Sequence, residues 1–247
     1  MTDLVQGPPP GRDRRRRGLL IGAGAAVVLV AAVTVAYLAF FRGSSEKRLT
    51  LTPSEGATPA NESVTAGGAA GPWVAAAGSE AGYRVREKLS RLPAKSDAVG
   101  RTTAVSGGMT VAASGDRLVA RDLRVEVDVS KLQSDESRRD NRIRTDGLET
   151  DRFRTATFVS TGEVVAPADA TSGNAFRVDV TGDLTVHGAT RRVTIPVEAR
   201  LDAGSLQVVG SYKFPMSMFD IDPPNVGGIV TVDPDATLEF KIVMTRS

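Results

Sequence analysis

The chain contains no cysteine. That absence excludes disulfides, thiolate nucleophiles, iron–sulfur ligation by thiolates and an acylated cysteine anchor. Histidine occurs once, at His187, so a metal centre built from several histidines of one chain is excluded as well. Aromatic residues are scarce, at 5%, and any core must be filled mainly by aliphatic side chains. Serine catalysis lacks its usual setting too, because no glycine-x-serine-x-glycine elbow is present.

A basic excess is also missing from most of the chain. The net charge is +2 over 247 residues, but residues 1–48 hold eight Lys/Arg against three Asp/Glu, leaving 23 basic and 26 acidic residues after them. The part that can fold therefore carries −3, with no surplus to neutralise phosphates, and nucleic acid is not an expected partner.

Long apolar runs are limited to one. Gly18 to Phe41 is uncharged for 24 residues, about 36 Å as a helix at roughly 1.5 Å per residue, against a hydrocarbon core of about 30 Å. Arg12 and Arg14 to Arg17 precede it, and no small-x-small cleavage site follows Phe40-Phe41-Arg42. These features predict a retained transmembrane helix over 18–41, with a basic cytoplasmic tail at 1–17 and the remainder on the far side of the membrane, outside the cytoplasm. Residues 42–72, rich in Gly, Ser, Thr, Ala and Pro, read as a flexible linker.

From 73 to 247 the pattern is mostly period-2 alternation. Its clearest part is Gly182 to Val197, where Leu184 and Val186 alternate before Gly188, and Val193, Ile195 and Val197 alternate after it. This predicts a hairpin turning at Gly188, completed by Ala189 and Thr190. Further strands are expected at 82–89, in two pieces across 99–113 separated by Gly107-Gly108, and at 118–129 with a bulge at Asp122-Leu123. The series continues at 157–165, 176–187, 190–201, 206–214 and 237–245. Ser134 is placed to cap a short helix reaching Arg144, followed by an aromatic plug, Phe153. Eight or nine strands joined by short turns favour an all-β, antiparallel up-and-down barrel with one helical excursion.

Alternation nominates the inward, ligand-facing residues Tyr83, Val85, Glu87, Leu89, Phe158, Phe176, Val178, Tyr212 and Phe214. Glu87 is expected to pair with an arginine near the rim or to orient a ligand head, since a lone interior carboxylate is costly. His187 is expected to be an exposed residue beside the turn. Asp220, Asp222, Asp233 and Asp235 lie among prolines without calcium-loop spacing and read as turn residues. Arg84, Arg86 and Lys88 form a basic outer face on the same strand. No catalytic set, metal site or cofactor is expected.

The hairpin is similar to one found in the YceI-like family. So, in order, are Trp73 and Ser79, the run Tyr83 to Glu87, Val99 to Thr102, Ser134-Asp135, Arg139-Asp140, and Phe153 to Phe158 with Ser160-Thr161. The resemblance implies a lipocalin-like barrel and binding of a polyisoprenoid or similar lipid, hence a carrier or buffer with its ligand in the barrel. The alternative is a non-enzymatic cell-envelope interaction module whose barrel is filled by its own side chains. Many family members have a histidine before the position of Ser79 and another after the first strand; Gly78 and a Glu-Lys-Leu run stand here, so no head-group role for those histidines carries over.

Overall fold

The computed structural model describes residues 46–52, 64–89, 95–202, 204–226 and 230–247. The expected transmembrane helix over 18–41 lies outside them, and among the described residues no helix is long and apolar enough to cross a membrane.

The elements in chain order are α1 (Ala66–Ala69), β1 (Gly71–Ala75), β2 (Glu80–Leu89), β3 (Lys95–Thr102), β4 (Val105–Ser114), β5 (Arg117–Asp128), α2 (Ser137–Arg142), β6 (Thr155–Ser160), β7 (Val164–Val165), β8 (Ala175–Val186), β9 (Ala189–Asp202), β10 (Ser205–Pro215), β11 (Asn225–Val226) and β12 (Val230–Arg246). β1 and β2 are two halves of one rung, since both pair antiparallel to β12. They pair on their other side with β4 and β3 respectively, which form the second rung. Then β5, β6, β8, β9, β10 and β12 follow in order, so the sheet closes as an eight-rung antiparallel barrel. Closure leaves most backbone donors and acceptors paired between neighbours.

Ser79 explains how the first rung survives its interruption. It is buried, its hydroxyl sits 2.8 Å from the Ala76 carbonyl and accepts the Val243 N–H at 3.0 Å, and the Ala76 N–H donates to the Val243 carbonyl at 2.8 Å. The break is thereby stitched to β12. The second rung breaks at Thr103-Ala104, not at Gly107-Gly108 as expected. Those glycines lie within β4, where the chain needs close approach: a Cβ on Gly108 would strike the Trp73 carbonyl oxygen. The β5 bulge is where alternation places it, with Asp122 and Leu123 facing Met109 alone and Asp122 at φ 53°.

The β8–β9 hairpin turns on two residues, His187 and Gly188, with φ of 51° and 75°. Val186 pairs with Ala189 and Thr185 with Thr190, so Ala189 and Thr190 are strand residues and the turn is one step earlier than read. Positive φ at both positions makes it a type I′ turn, whose twist suits a two-residue hairpin. The excursion after β5 also differs in detail. Glu136 caps α2 by accepting the Arg138 N–H, while Ser134 donates its hydroxyl to the buried Asp140 at 2.6 Å. The helix ends in a wider turn, with the Leu148 N–H donating to the Ile143 carbonyl.

The stretch read as a linker contributes to the domain. Thr65 caps α1, the Val64 N–H donates to the Thr171 carbonyl, and β1 starts at Gly71, two residues before the expected boundary.

Candidate functional site

Inside the barrel lies a cavity of about 190 Å³, walled by all eight rungs except for β3 and by α1. By the same measure a single water needs roughly 10–15 Å³, so the space is many waters large. Its walls are aliphatic and aromatic: Thr157 carries the sole hydroxyl among the lining residues. The indole N–H of Trp73, the other polar atom nearby, is donated to the Ala69 carbonyl at 2.9 Å. Such a volume offers water too few partners to hold it and gives a charged group nothing to pair with. It suits hydrocarbon.

Two of the walls are shaped by glycines. The Phe158 ring lies where a Cβ on Gly182 would project, and the Phe240 ring where one on Gly210 would project, at 2.5 Å. Each ring rests on bare backbone and leaves the lumen open.

Both ends are packed. At one, Trp73 is 2% exposed and forms a cluster with Ala69, Val111, Leu118, Leu201, Ile242 and Met244. At the other, Phe214 meets Phe219 edge to face at 5.0 Å, with Met216 and Ile221 buried around them.

The nine nominated residues divide along the barrel axis. Phe158, Phe176 and Val178 line the cavity. Val85, Tyr212 and Phe214 pack in the cluster beyond it, Tyr212 stacked on Phe214 at 5.9 Å with its hydroxyl 4.0 Å from Met218 Sδ. Leu89 pairs with Val230 at the end of β2, and its side chain is outside those described. Tyr83 lies over Gly100, and its buried hydroxyl has no partner among the described residues. Burial pushes that phenol well above its usual pKa, with Arg139 pulling the other way.

Glu87 is ion-paired with Arg139 of α2 at 3.2 Å, the side chains 15% and 22% exposed. Arg139 also reaches Asp135 at 2.5 Å. Burial works against the guanidinium, but Glu87 and Asp135 outweigh it and its pKa is raised. Of the two roles considered for Glu87, the structure shows the paired charge, which fastens α2 to β2.

Sequence reasoning did not nominate Trp73, Met109, Val111 or Leu238 for the cavity, although the first resembles a family position and Leu238 shares the inward alternation of β12. His187 departs from expectation. Its side chain is 11% exposed, with Nδ1 3.2 Å from the Phe219 carbonyl oxygen, Nε2 3.4 Å from Glu149, and the ring edge to face with Phe153 at 4.7 Å. It therefore latches the plug onto the hairpin. The basic outer face is also altered: Arg84 is buried and paired with Glu239 at 2.7 Å, which raises its pKa, the hydrogen bond it donates to Glu239 outweighing burial.

Comparison with known proteins agrees with this geometry. The model of the YceI-like domain matches residues 74–244. A UPF0312 protein of Vibrio vulnificus is 38% identical over 84 residues, covering 34% of this chain and 41% of that one. One from Vibrio parahaemolyticus is 35% identical over 123 residues, covering 47% and 60%. The matches thus span about half the length of these relatives. Among solved structures, a polyisoprenoid binding domain from Saccharophagus degradans, implicated in plant cell wall breakdown, superposes with a TM-score of 0.53 at 16% identity, over 72% of this chain and 99% of that one. A Campylobacter jejuni YceI protein gives 0.51 at 15% identity, over 65% and 91%. At these identities the structural likeness speaks for the fold. With the family model matching well over half of its length, this chain belongs to the YceI-like domain family.

Proposed function

We propose that the barrel binds the hydrocarbon part of a polyisoprenoid or similar amphiphilic lipid, as a non-catalytic carrier or buffer. The observation that carries this reading is the nearly hydroxyl-free cavity of about 190 Å³. A methylene transferred from water to such a space contributes about 0.8 kcal/mol, so one five-carbon isoprene unit contributes on the order of 4 kcal/mol. Drug-sized pockets run to roughly 300–1,000 Å³, so the cavity as it stands takes a short stretch of chain, and a long polyprenyl tail must displace packing at one end. The likeness to the Saccharophagus polyisoprenoid binding domain supports the same ligand class.

The reading extends to place. The length and charge flanks of residues 18–41 support a single membrane-spanning anchor with the N-terminus in the cytoplasm and the barrel outside. A barrel kept at the membrane has its ligand at hand.

Extraction of the purified full chain with organic solvent, followed by mass spectrometry, tests the lipid reading. A prenyl lipid in near-stoichiometric amount is expected. Protein free of lipid that also fails to take up a prenyl alcohol or quinone would instead favour the cell-envelope interaction module with a filled barrel, the reading to which the packing at both ends lends support.

A further inference from the structure

A carboxylate and a guanidinium are buried on the outside of the barrel. Leu238 and Phe240 face the cavity, so Glu239 between them faces out, yet it is 3% exposed; Arg84, outward between Tyr83 and Val85, is 8% exposed. Charges covered in this way are costly unless they are paired, as these two are at 2.7 Å. Part of the cover is residues 46–52 of the same chain.

The grip is mainly on main-chain carbonyls. Arg84 Nη2 donates to the Glu46 carbonyl at 2.9 Å, Arg101 Nη2 to that of Lys47 at 2.5 Å and Arg200 Nη2 to that of Thr52 at 2.6 Å. At the far end the Thr52 N–H donates to Gln207 Oε1 at 3.1 Å, and the Lys241 ammonium donates to the Thr52 hydroxyl. Two side-chain contacts add a preference: the Glu46 carboxylate is 3.1 Å from Arg101, and the Arg48 guanidinium is 3.5 Å from Glu239. From β3 to β9 the segment crosses β2, β12 and β10. Four inter-strand spacings amount to about 19 Å, within the roughly 23 Å reach of seven extended residues.

We propose that this outer face is a groove for an extended peptide, read through its carbonyls by Arg84, Arg101 and Arg200, and that residues 46–52 are its resident occupant. The inference is independent of the lipid reading. Because carbonyls are common to all residues, the groove specifies shape more than sequence: an extended run with an acid over Arg101 and a base two residues later over Glu239. Part of the apparent tether is thus an intramolecular ligand of the barrel.

Limited trypsin digestion of the full chain, followed by mass, tests this. The bonds after Lys47 and Arg48 should be cut at least tenfold more slowly than in a free peptide of the same sequence. Gln207→Ala removes the acceptor for the Thr52 N–H and should speed that cleavage roughly fivefold, the effect of one net hydrogen bond, with the thermal midpoint of the barrel unchanged. A synthetic peptide of residues 46–52 with dimethyl-lysine in place of Lys47 and Arg48, which keeps the charge but is not cut by trypsin, at millimolar concentration, comparable to the effective concentration of a short tethered segment, should also speed it. Cleavage of the unaltered chain at the free-peptide rate, or insensitivity to either perturbation, overturns the proposal.

Discussion

Val178→Trp asks whether the cavity is a working space or a packing defect. Val178 projects from β8 into the cavity wall beside Phe176 and Val180. An unfilled cavity costs about 24 cal/mol per Å³, so 190 Å³ left empty represents a standing loss of about 4–5 kcal/mol. An indole that fills about half of it recovers about 2 kcal/mol, less whatever strain its rotamer carries. The delipidated variant is therefore expected to be no less stable than the delipidated parent and up to about 2 kcal/mol more stable. For a domain of this size that is a rise in thermal midpoint of up to roughly 4–8 °C. The same variant should lose co-purifying lipid, because tail and indole compete for one volume. The assay is a pair of melts, before and after solvent extraction, with mass spectrometry of the extract. Destabilisation by roughly 1–3 kcal/mol, the signature of overpacking, with no lipid extracted from the parent, would refute the reasoning.

Three further outcomes are expected. Gly188→Val should destabilise the domain by about 2–4 kcal/mol in chemical denaturation, because a β-branched residue resists φ of 75° and its Cβ would meet the Phe153 ring at 2.5 Å; an unchanged midpoint would mean the turn and the plug are not coupled. The hydrogen bond from Arg152, aided by His187, holds the Glu149 carboxyl below its usual pKa. Its stabilising contribution is present above the unfolded value near 4.5 and is lost as pH falls through the folded one, so Glu149→Gln should flatten the acid limb of a stability–pH profile, and an identical limb would contradict this. Finally, full-length chain should remain in the membrane pellet after carbonate washing, and a soluble form beginning after Phe41 would show that residues 18–41 are removed.

Alternation along the chain was enough to determine the faces of the strands, the bulge at Asp122-Leu123 and a hairpin near Gly188, because a strand's side chains alternate whatever its neighbours do. Face is not depth. Whether an inward residue meets the cavity, as Phe176 and Val178 do, or the packed end, as Val85 and Phe214 do, depends on the stagger of each rung against the next, and no single strand carries that information. The same limit applies to Glu87, whose partner Arg139 is 52 residues away and reaches it because α2 folds back across β2. His187 looked like an ordinary turn residue until Phe153, Glu149 and Phe219 were brought around it from distant stretches. Residues 46–52 showed no periodicity to read, since a segment held by its carbonyls leaves no pattern in its side chains. What the tertiary structure alone decided was contact across the sheet and over its outer face, where pairing, burial and charge compensation depend on residues that only closure of the barrel brings together.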